Sequence, residues 1–423
     1  MPDYNAGQCL SCLVLAALVV DQGAGREVVI RCGPYSWDTP AMWCAMNRCG
    51  LVGVLWSVIV VGLAGGAEPF RYPEKRHGRG ELKYINGLPV LRVAGKPEEI
   101  GDQVGALAVK PGAGAVGAFK NYVKQQGLEL VWPLLVRLGR QQFDKFPAEY
   151  RAELEAMARS SGIDRDVLIA VNTIGDLRNL AGCSGLIVEP ARSATGGPLL
   201  GRNWDFLPLE GLCAYSLVTV YQPTGKRAFV TVGFPGMMVA GSAMNAKGLA
   251  LGGNEVTATA DGSPRLDLKG VPGTVMGRRI LEDCTTLADM EKWLRANRPA
   301  GMLSVVACDQ TGGAVFEVTT KNICVRRATN GICVGTNHFL CPQLAVATKC
   351  GRFEALTAAQ RIPRLTVADV ALKMHEANQG AATVHSMVFE PCTRRLHLAF
   401  GTGAVSATTR PLQTLDLEPL FRQ

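Results

Sequence analysis

Within the 423-residue chain, the residues best suited to covalent chemistry stand in "AGCSGL" at 181–186 and "GRNWDF" at 201–206. Cys183 follows directly on Gly182, where helix-like sequence gives way to strand-like sequence. A buried structural cysteine would account for the thiol but not for its place at that boundary. A cut between Gly182 and Cys183 would give the cysteine a free α-amino group, whose reference pKa is about 7.7–8.0. That amine can take the thiol's proton within the same residue, so no histidine is required. Glycine before the thiol leaves the scissile bond free to strain and carries no side chain to block attack. Arg202 and Asp205, 19 and 22 residues on, bring opposite charges into an apolar strand, which is costly unless both are paired. They read either as the support of a reactive site or as a structural salt bridge.

The five histidines, His77, His338, His375, His385 and His397, are scattered, and each taken alone reads as structural. A papain-like pairing of Cys183 with one of the later four needs no proximity in sequence, so it stays open as a rival. "GAGAVG" at 112–117 follows no strand, which argues against a nucleotide loop. Nine of the fourteen cysteines lie beyond Ala67, an odd number that leaves at least one thiol unpaired in an exported protein. The only C-x-x-C, "CLSC" at 9–12, lies in the leader, so no structural zinc is expected, and no metal or cofactor is called for. The net charge of +8 includes no Lys/Arg run, so it reads as a solvated surface and not as a nucleic-acid footprint.

These residues need elements to hold them. Residues 46–67 contain one basic residue, an apolar run from Leu51 to Leu63, and small residues up to Ala67. That is the pattern of a secretory signal peptide starting at Met46, with cleavage near Gly66 or Ala67. The apolar run is short for a bilayer span of about 20 residues. The expected location is therefore secreted or periplasmic and cell-envelope, with membrane contact only through an uncleaved signal. Residues 82–95 read as two strands around an Asn86-Gly87 turn. Pro97 opens a helix, and "FPAEYRAELEAMARSSG" forms another that stops at Gly162. From Cys183 onward short β-rich runs dominate, with helical patterns near 274–297 and 365–378. Strands and helices in separate blocks predict an α+β fold of antiparallel sheets covered by helices. At 48% hydrophobic and 19% charged residues, the chain is globular and not disordered.

In this order, "AGCSGL", "GRNWDF", "NAKGLALGGNE" at 245–255 and "GTNHF" at 335–339 resemble a known family. It is the acyl-coenzyme A:6-aminopenicillanate acyltransferase group of N-terminal-nucleophile (Ntn) hydrolases, which is peptidase C45-like. Its wider relatives are the choloylglycine hydrolases and acid ceramidase. The resemblance covers about residues 82–405 and implies a four-layer αββα sandwich. It implies a helix-rich pro- or α-segment over 68–182 and a catalytic β-chain over 183–423, joined as a self-processed α/β heterodimer. Cys183 would be both the autoproteolytic and the catalytic nucleophile, cutting after Gly182. Arg202 would orient its thiolate, and Asp205 would accept from the new α-amino group. Asn254, through its backbone N–H or side chain, and Asn337, through its amide, would donate to the oxyanion; neutral donors suit that task. Either asparagine also reads as a turn residue. Arg352 in "CGRFEAL" matches a substrate-binding arginine of the choloylglycine branch.

The implied reaction passes the acyl group of a small-molecule amide, or a thioester, to Cys183, and water or an amine then resolves the thioester. Ser184 stands where the penicillin-forming enzyme has threonine, and no residue identifies a penicillin nucleus or a coenzyme A pocket. The rival without catalysis is an exported binding module that keeps the fold unprocessed.

Overall fold

The computed structural model describes residues 70–125, 132–177, 181–206 and 211–422, so the signal-peptide reading of 46–67 lies outside the described residues. The described chain begins with β1 (Lys75–His77), β2 (Gly80–Ile85) and β3 (Leu88–Gly95). Next come α1 (Pro97–Val104), running into a π-helical turn, then α2 (Ala113–Gln125), α3 (Trp132–Phe143), α4 (Ala148–Ser161) and α5 (Arg165–Leu177). Strands β4 (Ala181–Val188), β5 (Leu199–Phe206), β6 (Leu217–Pro223), β7 (Phe229–Gly233), β8 (Ser242–Asn245) and β9 (Ala250–Glu255) precede α6 (Gly273–Asp283) and α7 (Leu287–Ala296). Then follow β10 (Leu303–Cys308), β11 (Gly313–Val318), β12 (Ile323–Arg327), β13 (Ile332–Gly335), α8 (Gly351–Thr357) and α9 (Val367–Glu376). The chain closes with β14 (Thr383–Glu390), β15 (Arg395–Phe400), β16 (Gln413–Asp416) and α10 (Glu418–Phe421).

Local chemistry explains the boundaries. Asn86 and Gly87 both take positive φ, 50° and 78°, as a tight hairpin turn demands. Gly162 ends α4 at φ 74°, with its N–H on Ala158 O. The single helical pattern expected over 274–297 is two helices. Thr286 breaks it, because its hydroxyl accepts from Asp289 N–H while the Asp289 carboxylate accepts from Thr286 N–H. Among the β-rich runs expected after Cys183, "MMVAGSAMN" at 237–245 is a strand only from Ser242 on. The short elements β1, β16 and α8 carry too little periodicity to be read from the sequence.

The strands form a 10-stranded sheet, β1-β2-β3-β6-β7-β8-β9-β10-β11-β12, and a 6-stranded sheet, β13-β4-β5-β14-β15-β16. All neighbours are antiparallel except β3 and β6. The crossover between that parallel pair holds helices α1 to α5 together with β4 and β5. Central strands divide their apolar side chains between two cores, as the period of two requires. In β10, Val306 and Cys308 enter the core between the sheets, whereas Val305 and Ala307 enter the core under α1, α4, α6 and α7. In β4, Ile187 faces the inter-sheet core, while Leu186 and Val188 pack with Leu356 of α8 and Val370 and Met374 of α9. The order is thus helix, sheet, sheet, helix: an α+β fold with four αββα layers. Among the described residues no helix is long and apolar enough to cross a membrane.

One buried ionic cluster links the region before Cys183 to the region after it. Arg278 of α6 is 1% exposed and donates to both Glu153 oxygens of α4 at 2.8 Å and to Glu282 at 3.1 Å. Lys226 Nζ and Tyr150 Oη also reach Glu282, at 2.6 and 2.7 Å. A buried carboxylate pair is tolerable only with such cations and donors around it.

Candidate active site

In the 6-stranded sheet the β4–β5 register sets Cys183 opposite Trp204, Gly182 opposite Asp205 and Gly185 opposite Arg202. Cys183, Arg202 and Trp204 therefore share the face turned to the other sheet, as Ile187 and Leu200 do. Asn203 and Asp205 take the opposite face, where Asn203 Nδ2 donates to Met374 O at 2.7 Å. The direct Arg202–Asp205 salt bridge allowed by the charge pattern is absent from the described residues. Neighbours three apart on a strand point to opposite sides.

Arg202 is buried and donates to Ser242 Oγ at 3.2 Å, Gly253 O at 2.5 Å and Asn254 Oδ1. Gly252 lets it lie there, since a Cβ at that position would stand 2.8 Å from Arg202 Cδ. Asn254 Nδ2 donates to Ser304 O at 2.8 Å. Oδ1 and one of the two Nδ2 N–H groups of Asn254 thus brace Arg202 against β10.

Asp205 accepts from Thr383 Oγ1 at 2.6 Å and Gln379 Nε2 at 2.7 Å, with Arg352 Nη1 at 3.5 Å. Burial pushes its carboxyl up, and those donors with the two arginines pull it back. With the 182–183 peptide bond in place, the Cys183 nitrogen is an amide with one N–H. That N–H goes to Asn337 Oδ1 at 2.8 Å and not to Asp205. Arg352 binds Cys183 O at 2.6 Å and Asn337 Oδ1 at 3.0 Å, while Asn337 Nδ2 donates to Glu255 O at 2.8 Å. Arg352 therefore sits within the cysteine's own hydrogen-bond network. The Cys183 thiol is pushed up to about 11, first by burial and then by the charges of Asp205 and Glu255. The Arg202 charge and the Asp205 backbone N–H oppose this. At neutral pH the thiol is protonated and latent.

Gly182 has a steric reason of its own. A Cβ there would stand 2.4 Å from Gln379 Nε2, the group that holds Asp205. Gln379, Thr383, Ser242, Ser304 and Glu255 all belong to the site, and sequence reading missed them. Gln379 lies 174 residues from Asp205, so nothing local could signal it.

The histidine rings bond elsewhere than to Cys183. His77 meets Asp102, His338 Thr336, His375 Thr408, His385 Ser216, and His397 both Glu390 and Thr414. Buried His385 is held to about 3 by burial and by Arg202, so it stays uncharged. Among the described residues no group of three metal-ligating side chains exists.

The thiol opens on a cavity of about 180 Å³. Trp204, Phe206, Phe234, Met237, Met276 and Ile280 give it apolar walls, with Arg202 and Glu255 near the cysteine. Ala115, Val116 and Val171 also line it, so residues on both sides of position 183 shape it.

The model of the acyl-coenzyme A:6-aminopenicillanic acid acyl-transferase family matches residues 192–404. The chain belongs to this family. The match begins just after Cys183, so the cysteine's role rests on the site geometry and on the resemblance of its flanking motif. An uncharacterized protein of Archaeoglobus fulgidus is 25% identical in a 364-residue alignment that covers 71% of this chain and 59% of that relative's length. Among solved structures, a mutant conjugated bile acid hydrolase of Clostridium perfringens has 13% identity and a TM-score of 0.43, covering 56% of this chain and 93% of its own. A Caenorhabditis elegans ortholog of N-acylethanolamine-hydrolyzing acid amidase has 14% identity and a TM-score of 0.40, covering 49% and 93%.

Proposed function

We propose that this chain is a self-processing cysteine hydrolase or acyltransferase that takes the acyl group of a small-molecule amide onto Cys183 as a thioester. The observation that carries the reading is the Asn337–Arg352 pair gripping the Cys183 N–H and C=O, in a family named for acyl transfer. The thiol attacks the Gly182 carbonyl carbon, and its proton passes to the amide nitrogen, which leaves as the α-amine of Cys183. Water then hydrolyses the resulting Gly182 thioester, giving the Gly182 carboxylate and freeing the thiol. In the mature enzyme that amine takes the thiol proton, the thiolate attacks the substrate carbonyl, and the amine returns the proton to the leaving nitrogen. Arg202 favours the thiolate by charge, and Asn337, whose Oδ1 accepts from the cysteine nitrogen, donates from Nδ2 to the developing oxyanion.

The apolar cavity of about 180 Å³ is smaller than the roughly 300–1,000 Å³ of typical ligand pockets. It suits one apolar acyl arm, with the amine portion left outside. The segment 46–67 supports export of the protein. Intact-mass analysis with N-terminal sequencing tests the reading. A fragment running from Cys183 to Gln423 is expected from the wild type and a single chain from Cys183→Ala. An active wild type that stays uncut refutes the free-amine mechanism.

A further inference from the structure

Asn337 lies two residues beyond the end of β13, in a stretch whose own strand pairing has stopped. Beyond its own side-chain bonds, its backbone is anchored three and four residues further on. Glu317 of β11 is fully buried. Its carboxylate accepts the Leu340 N–H at 2.9 and 3.0 Å and the Cys341 N–H at 2.8 Å. Arg326 of β12 neutralises it at 2.5 Å and also donates to Val334 O at 2.7 Å, just upstream of Asn337. Cys341 is in turn joined by a disulfide to Cys324 of β12, 17 residues earlier. Phe339 and Cys341 then pack with Leu344, Val256 and Met302. The backbone on either side of Asn337 is therefore tied to β11 and β12 of the 10-stranded sheet, whereas Cys183 belongs to the other sheet.

We propose that Glu317 and the Cys324–Cys341 disulfide are positioning residues for Asn337, so that the Asn337 amide meets the reacting carbonyl at full effect only while the disulfide is formed. This rests on the reading of Asn337 as the oxyanion donor. Reduction by a dithiol or a phosphine delivers two electrons and two protons, breaks the S–S bond and leaves two thiols. The 338–341 segment then keeps the Glu317 carboxylate but loses its covalent tie to β12. A misplacement of about 1 Å at such a donor can cost up to about a hundredfold in rate.

The test uses mature full-length enzyme and 4-nitrophenyl hexanoate as the acyl donor. Wild type is compared before and after phosphine treatment, with mass spectrometry confirming reduction of this disulfide, and beside it Glu317→Gln and Cys324→Ser/Cys341→Ser. Each perturbation is expected to lower kcat about tenfold with KM changed less than twofold, and reoxidation restores the phosphine-treated enzyme. In the Asn337→Ala background the same perturbations are expected to change kcat less than twofold, because coupled groups are not additive. An equal loss with and without Asn337 overturns the proposal, since it would report general loosening. So does an unchanged kcat in wild type with the disulfide shown reduced, a measurement that stands even where a variant fails to fold. If oxidised Asn337→Ala already turns over like wild type, the donor reading itself fails, and that outcome is distinct from the other two.

Discussion

The proposed self-processing calls for different pH profiles at Cys183 before and after cleavage. In the uncut chain the thiol is raised to about 11, mainly by burial. Its thiolate fraction therefore grows about tenfold per pH unit up to that value. The self-cleavage rate, followed by gel densitometry, is expected to climb with a logarithmic slope near 1 between about pH 7 and 10. A plateau by about pH 8 would show that another group takes the proton. Turnover of the mature enzyme is expected to level off earlier, near or below the reference amine pKa of about 8, because the amine need only be neutral to act as the base. Asp205 makes a second case. Asp205→Asn keeps an oxygen for Thr383 or Gln379 but loses the charge facing Arg352. Maturation and turnover are both expected to fall, by less than the complete loss for Cys183→Ala. A lower melting temperature with wild-type inactivation by a thiol-acylating reagent would make this aspartate purely structural.

At the scale of elements, the site depends on strand β4 lying flat beneath the loop between α9 and β14. Gly182 permits that approach, because a Cβ would strike Gln379 Nε2 at 2.4 Å. Gly182→Ala is expected to slow self-cleavage between about ten- and a hundredfold, by displacing the side chain that orients Asp205. The obstacle is the end of a flexible side chain, so Gln379→Ala in the same chain should recover part of that loss. Intact-mass time courses on the wild type, the single and the double variant check this. No recovery would mean that Gly182 is needed for the chemistry of its own carbonyl and not for space.

For the whole molecule, the proposed self-processing raises the question of what would join the two fragments of a cut chain. Glu153 and Tyr150 precede the cut, Arg278, Glu282 and Lys226 follow it, and all five belong to one buried cluster. Cavity residues also come from both sides, so the fragments are expected to co-elute in size-exclusion chromatography and to need each other for activity. Arg278→Met strands Glu153 in the interior and leaves Glu282 to Lys226 and Tyr150, and is expected to cost about 3–5 kcal/mol. The loss would appear as a lower urea midpoint and as separation of the cleaved fragments. An unchanged midpoint would assign their association to apolar packing alone.

Periodicity and turn chemistry reveal most elements in the sequence, because they are local. The Asn86-Gly87 hairpin, the Gly162 stop and the block of strands after Cys183 all follow from a few adjacent residues. Cys183 stands out in the same local way, whereas the roles expected of Arg202, Asp205 and Asn337 rest on the family resemblance of their motifs. Other features need partners distant in the chain. The opposite facing of Arg202 and Asp205 follows from strand register. The use of Asn254 as a brace follows from the contact between two sheets. Gln379 and Thr383 reach Asp205 across more than 170 residues, and Glu317 reaches the segment beyond Asn337 from a neighbouring strand. Hydrogen bonds that close loops of such length leave no periodic trace, because chain entropy sets no preferred spacing between their ends. They exist only once the sheets have stacked.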